Sequence, residues 1–251
     1  MGAGSLLVRV AISPEQEAAL DTGETYKLVS TTTGGTVSTG GTGTINDDGT
    51  GSIFLATNNT ATPNVSGDPG YPALDDDRPM AVTNVTVNEA SPYAVFTVTG
   101  VASQKAIFSI TNTSTTGLTG IEYFDGAAWQ TYTSGSVTLP AGGSLLVRVA
   151  ISPEQETALD TGETFKLVAA TTSGTASTGG TGTINDDGTG SVFLATNNTA
   201  TPNVSGDLGY PTLDDDRVMA VTNVTVNEAS TYAVFTVTGV AAQKAVFSLK
   251  A

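Results

Sequence analysis

Short alternations of apolar and polar residues, each broken by Gly, Pro, Asn or Asp, run the length of this chain. Alternation over four to eight residues is the period of a half-buried strand. Between Met80 and Gly188 it predicts strands at VTNVTV (Val82 to Val87), YAVFTVTGV (Tyr93 to Val101) and AIFSI (Ala106 to Ile110), the last with Ala106, Phe108 and Ile110 on one face. These three are expected to pair with one another. GIEYFDGAAWQTYT (Gly120 to Thr133) reads as a hairpin turning at Asp125 and Gly126, and SVTL (Ser136 to Leu139) leads into SLLVRVAI. There Val147, Val149 and Ile151 face inward and Arg148 faces out. ETFKLVAA (Glu163 to Ala170) and TGTI (Thr181 to Ile184) supply the last strands, and SPEQETAL is expected to make one short helical turn capped by Ser152. About seven or eight short strands with Gly and Pro turns predict an all-β protein, an immunoglobulin-like β-sandwich.

The pattern occurs twice. Leu6 recurs as Leu145, an offset of 139 that also carries Asp47 onto Asp186, Asp75 onto Asp214 and Glu89 onto Glu228. Swaps such as Tyr26 for Phe165, Ile53 for Val192 and Ile107 for Val246 keep size and character. The phase of this tandem repeat divides the chain unevenly. Residues 1–49 read as the C-terminal half of a unit, 50–79 as a linker, 80–188 as one complete domain, 189–217 as a second linker and 218–251 as an N-terminal half. The equivalents of roughly Asn112 to Ala141 are supplied by neither half, so joined together they still make an incomplete sandwich.

Charge narrows the chemistry. With 24 acidic against 9 basic residues the formal net charge is -15, which repels nucleic acid and anionic membrane surfaces and favours a cation. There is no Cys and no His, so thiolate chemistry, disulfides, the commonest general base and the usual zinc ligands are all missing. No Ser has a His partner and no Gly-rich loop carries a nucleotide-binding Lys, so an enzyme is not expected. No apolar run is long enough to cross a membrane, and MGAGSLLVRV lacks the form of a signal peptide. If the protein is secreted, its address lies outside this sequence.

The acids fall in clusters. TGTINDDGTG occurs at Thr42 to Gly51 and again at Thr181 to Gly190, closing each copy with two adjacent aspartates, and LDDDR occurs at Leu74 to Arg78 and Leu213 to Arg217. Adjacent carboxylates at a packed strand end need water or a cation to absorb their charge. Calcium takes six to eight oxygen ligands from carboxylates, carbonyls and water, and oxygen is all this chain offers.

The order VTVNEASPYAVFTVTG, EY, VTLPAGGSLLVRVAI, LDTGETFKL, GTGTINDDG resembles the Calx-beta domain, fully over about Met80 to Gly188 and in part at both ends, and the tandem copies resemble extender repeats of large bacterial surface adhesins. The resemblance implies an immunoglobulin-like sandwich with acidic loops gathered at one end around Ca2+, on an extracellular or bacterial cell-surface protein. Carried over residue by residue, it implies Glu89, Asp160, Glu163, Asp186 and Asp187 as ligands, with either Glu122 or Asp125 pointing at the site. The repeat mates Asp21, Glu24, Asp47, Asp48 and Glu228 follow. Asp75, Asp76, Asp77, Asp214, Asp215 and Asp216 are candidates for a second site between units, against a solvated linker as the plain alternative. The sequence departs from the family where SPEQE replaces a denser acidic run and where Gly188 stands for a third closing aspartate, which implies fewer ions or weaker binding.

Three functions are therefore expected in descending order. The first is a calcium-stiffened spacer whose partners are neighbouring repeats of the same protein. The second is a carbohydrate- or surface-binding module built on Trp129, although Trp129 is expected to pack over its hairpin rather than to hold a sugar. The third is a subunit of a head-to-tail fibre, self-associating by strand exchange between the end halves.

Overall fold

The computed structural model describes residues 4–13, 20–21, 23–111, 113–115, 117–152, 159 and 161–250. Among them every regular element is a strand. In the N-terminal half these are β1 (Glu24–Leu28) and β2 (Gly41–Ile45). The middle stretch holds β3 (Ala81–Val82), β4 (Val85–Asn88), β5 (Tyr93–Thr99), β6 (Lys105–Thr111), β7 (Leu118–Phe124), β8 (Trp129–Tyr132), β9 (Val137–Thr138), β10 (Ser144–Ile151), β11 (Glu163–Ala170) and β12 (Gly180–Asn185). Two short strands, β13 (Ala220–Val221) and β14 (Val237–Thr238), close the C-terminal half. The expected helical turn falls mostly on residues 153–158, outside the described residues.

The middle strands form two five-stranded sheets, ordered β3-β5-β10-β7-β8 and β4-β12-β11-β6-β9. Their inner faces share one core in which Phe96, Val98, Val147 and Val149 of the first sheet meet Phe108, Phe165 and Leu167 of the second. Phe96 and Phe165 touch edge to face, with centroids 5.8 Å apart. This is the arrangement of a β-sandwich, and period-two burial along β11 and β12 explains why their sequences alternate. Each fully buried large apolar side chain contributes about 1.5–3 kcal/mol.

Two expectations are corrected and a third is extended. VTNVTV is not one strand: β3 joins the first sheet and β4 the second. Nor do the strands at Tyr93 and Ala106 pair. β5 lies between β3 and β10 while β6 lies between β11 and β9, because the turn at Ser103, with φ at 66°, carries the chain across the core. Arg148 does point away from the core, yet it is buried, because the segment after Gly190 folds over that face of the sheet.

That segment also contributes to the core. Ser191 bridges Val87, Phe193 bridges Tyr93, and Val192 and Phe193 are buried. Gly190 makes the approach geometrically feasible: its φ is +107°, and a Cβ there would lie 2.4 Å from the Asn88 nitrogen. Beyond Phe193 the chain is held by short polar side chains rather than by apolar packing. Asn197 donates to Thr201 O and Asn203 Oδ1, and Asn203 donates to Asp207. The same bonds recur at Asn58 and Asn64, where the sequence is the same. Side chains of this kind satisfy backbone groups that a strand ladder would otherwise engage, so a segment with few apolar residues is still ordered.

Candidate functional site: an acidic pole and the joint it forms

The ends of β4 and β12 run in parallel register, Asn88 beside Asn185, which brings Glu89 next to the INDDG turn. The Glu89 N–H donates to Asn185 O at 2.8 Å. Glu89 and Asp186 are both buried here, while Asp187 is half-buried and accepts from Thr189 N at 3.0 Å. The Thr161 hydroxyl donates to Asp186, and Gly162 N donates to Ile184 O, so the loop leading to Glu163 lies along this pole. Asp160 itself is outside the described residues. Its repeat mate is described: the Asp21 N–H donates to Asp47 Oδ2 at 2.7 Å.

Asn88, which the sequence did not single out, is the hub of the pole. It is fully buried; its amide nitrogen reaches Asn185 O, Thr189 O and Asp214 O at 3.0–3.1 Å, and its oxygen accepts from Ala90 N and Asp214 N. One side chain thus ties β4, β12, the following turn and the second LDDDR motif together.

The LDDDR motifs form joints. At the second, Gly188 N donates to Asp214 O (2.7 Å), Asp216 N donates to Asp186 O (2.8 Å), and Asp187 bridges Asp215. Arg217 clamps Asp215 with two bonds of 2.7 and 2.8 Å, which holds that carboxyl below its usual range. Gln243 donates to Arg217 O from the far side. The first joint repeats every one of these contacts, with Gly49 to Asp75, Asp77 to Asp47, Asp48 beside Asp76, Arg78 on Asp76 and Gln104 on Arg78 O. It adds a grip on the middle domain: Ser173 Oγ lies 2.9 Å from Asp76 O and 3.1 Å from Asp77 Oδ1, and Thr175 donates to Asp77. The glycine that replaces an expected third aspartate has a structural reason. Gly188 has φ +75°, and a Cβ there would come within 2.9 Å of the Asp215 carboxylate.

The two joints attach at opposite ends of one strand. Ser173 and Thr175 lie on the loop that enters β12, and Asp186 follows its last residue. Six residues of strand, roughly 20 Å, separate them.

Other candidates are placed elsewhere. Glu122 pairs with Arg148 at 2.5 Å, and the Arg148 guanidinium is stacked between Tyr93 and Trp129, 3.7 and 4.2 Å from their centroids. Asp125 accepts from Ala127 N, Ala128 N and Gln130 Nε2 and so closes the hairpin turn, its carboxyl lowered by those bonds. Trp129 donates to Asn197 O at 2.8 Å and leans on Phe124, so the indole is engaged by the chain itself. Glu24 and Glu228 are exposed in the end halves.

The donors suit a hard cation in kind. In place, Glu89 and Asp186 share the pole, and at the first joint Asp75 Oδ1 is buried with no hydrogen bond, an atom a cation would satisfy. Among the described residues no group of three or more acidic side chains converges closely enough to hold a metal unaided. No family model matches the chain. No curated protein matches it either.

Proposed function

We propose that the chain is a spacer segment of an extracellular, adhesin-type surface protein, built of immunoglobulin-like, Calx-beta-like tandem units whose joints fix the direction from one unit to the next. The observation that carries this reading is the joint itself, made twice from the same residues with the same bonds. A flexible linker needs no such set of contacts, whereas a spacer that must hold a distal domain away from a surface needs its hinges closed. Attachment at opposite ends of β12 supports a series that runs on rather than folds back. The partners in this reading are neighbouring repeats, and nucleic acid and membrane insertion are foreign to so acidic a chain.

Calcium belongs to the proposal as reinforcement. We assign Glu89 and Asp186 to it at the pole, with Asp160 and Glu163 as the resemblance implies, and Asp75 at the joint. Bound there, calcium would neutralise carboxylates whose mutual repulsion otherwise loosens that end, so binding adds to folding stability. Spin labels at Thr25 and Thr131, on opposite sides of the first joint, test both parts. A narrow distance distribution with calcium that broadens after chelation is the expected result. Narrow distributions in both states would leave the spacer and remove the metal; a broad distribution in both would remove the spacer.

A further inference from the structure

The segment that closes the first joint leaves a space between itself and the middle domain. Ser66, Asp68, Tyr71, Pro72 and Arg78 line one side of it, and Ser103, Lys105 and Thr172 line the other. The cavity holds about 580 Å³, within the range of sites that take a small ligand, and like many such sites it lies where two units meet.

Its walls are fixed by the chain. Asp68 N donates to Val65 O and Tyr71 N to Asp68 O, each at 3.0 Å, and these two successive turns use φ of +106° at Gly67 and +84° at Gly70. Asn64 Nδ2 and Val65 N reach Asp68 Oδ2 at 2.9 and 3.0 Å, which lowers that carboxyl below its usual range and leaves Oδ1 uncommitted. On the opposite wall the Lys105 side chain makes no hydrogen bond or ion pair among the described residues. Arg78, Arg148 and Arg217 each hold a carboxylate, so an ammonium left over in so acidic a chain stands apart.

The body of the preceding unit does not fill this space. At the second joint that body is the complete middle domain, and the same turn stays clear of it: Val204 is 65% exposed, as Val65 is at 64%, and Ser205 and Gly206 are exposed like Ser66 and Gly67.

The balance of groups selects the ligand. Charges cancel across the cavity, Asp68 against Lys105 and Asp76 against Arg78. A phosphate would meet two carboxylates there and a metal ion would meet two cations, both unfavourable. What remains is an acceptor, an ammonium donor, the hydroxyls of Ser66, Ser103 and Thr172, and the apolar surfaces of Tyr71 and Pro72. A pyranose matches that set, since its hydroxyls donate and accept while its C–H face packs on a ring.

We propose that the joint cavity binds one or two residues of a neutral saccharide, with Asp68 and Lys105 holding its hydroxyls from opposite walls and Tyr71 supporting the sugar face. The walls come from consecutive units, so a bound sugar bridges the joint. Asp68, Tyr71, Pro72 and Lys105 recur as Asp207, Tyr210, Pro211 and Lys244, so successive joints of the proposed spacer repeat the site, and weak single contacts gain by avidity on a glycan-bearing surface.

Ligand-observed saturation-transfer NMR on the full chain tests this with maltose, cellobiose, lactose and diacetylchitobiose as neutral probes and digalacturonate as the acidic one. Transfer to at least one neutral disaccharide is expected, with an affinity that changes less than about twofold between about 50 and 500 mM salt. Lys105→Gln combined with Lys244→Gln should weaken that binding at least about tenfold, as should Tyr71→Ala combined with Tyr210→Ala. The lysine pair has exposed side chains, so the melting temperature should not move. Lys166→Gln, on the outer side of β11 and away from the cavity, should leave affinity unchanged. Transfer to none of the neutral probes, transfer to digalacturonate alone, or affinity unaltered by the lysine pair would each overturn the proposal. The joint bonds and calcium enter none of these readouts, so failure here leaves the spacer reading standing.

Discussion

Replacing Asn88 by Ala removes the most connected side chain at the acidic pole. Its amide serves three carbonyls with two hydrogens and its oxygen serves two N–H groups, all within a fully buried setting. A buried polar group left without a partner costs about 1–3 kcal/mol. Some of the five groups regain water once the side chain is gone, so the equivalent of one or two full penalties, about 3 kcal/mol, is the expected loss. In a domain of this size that lowers the melting temperature by about 10–20 °C. Asn88→Asp should be at least as harmful, because it turns a carboxylate oxygen toward the Asn185, Thr189 and Asp214 carbonyls. Limited proteolysis adds a second readout. Asp214 loses two of its three bonds to the domain, keeping only that from Gly188 N, and cleavage should rise in residues 194–213. A melting temperature within about 2 °C of the parent for both variants would refute the reasoning, since no estimate of five buried bonds is that small.

Four further outcomes follow from the same geometry. Phe193→Ala should cost about 3–5 kcal/mol in urea unfolding, and a fragment of residues 79–188 should be less stable than one of 79–217, because Phe193 completes the core. Arg148→Ala should cost about 3 kcal/mol by the same assay, more than Glu122→Gln, since it strands a half-buried carboxylate and unstacks Tyr93 and Trp129. Chelation should lower the melting temperature, and Asp186→Asn should erase that difference in differential scanning calorimetry. Asp215 has its carboxyl lowered in the folded chain by Arg217, so its contribution is present above the unfolded value of about 3.9 and is lost as pH falls through the folded value. Acid titration of Arg217→Gln should therefore be flatter below about pH 4 than that of the parent.

Much of the sandwich was legible because its strands obey a period of two: Val147, Val149 and Ile151 are buried as the alternation predicts. Which strands pair was not legible. β5 and β6 are adjacent in sequence and both rich in branched and aromatic residues, but the choice between a hairpin and a crossing rests on a turn at Ser103 that carries no special sequence mark. The burial of outward-facing Arg148 was not legible for a related reason, since its cover comes from a segment 47 residues away. The acidic positions were visible as clusters, yet their partners were not. Ser173, Thr175 and Asn88 are common residues in a chain full of Ser, Thr and Asn, and only the fold sets them against Asp77 and Asp214. A faint signal existed at Asn88: it stands one residue before Glu89 in both copies, and a buried Asn at a strand end is usually there for its hydrogen bonds.

The joint closes a loop. Gly188 and Asp214 are tied by a few short bonds, while the chain between them leaves the core after Phe193 and is held to the first sheet by the Arg148 bond to Ala195 O and the Trp129 bond to Asn197 O. Tension applied along the polypeptide meets those few bonds before it meets the packed sheets. Once they and the Arg148 and Trp129 bonds part, roughly 20 residues from Leu194 to Leu213 pay out about 65 Å of slack with the packed sheets intact. If the chain is the spacer proposed above, single-molecule extension is expected to show this release as a step of about that length before the sandwich unfolds.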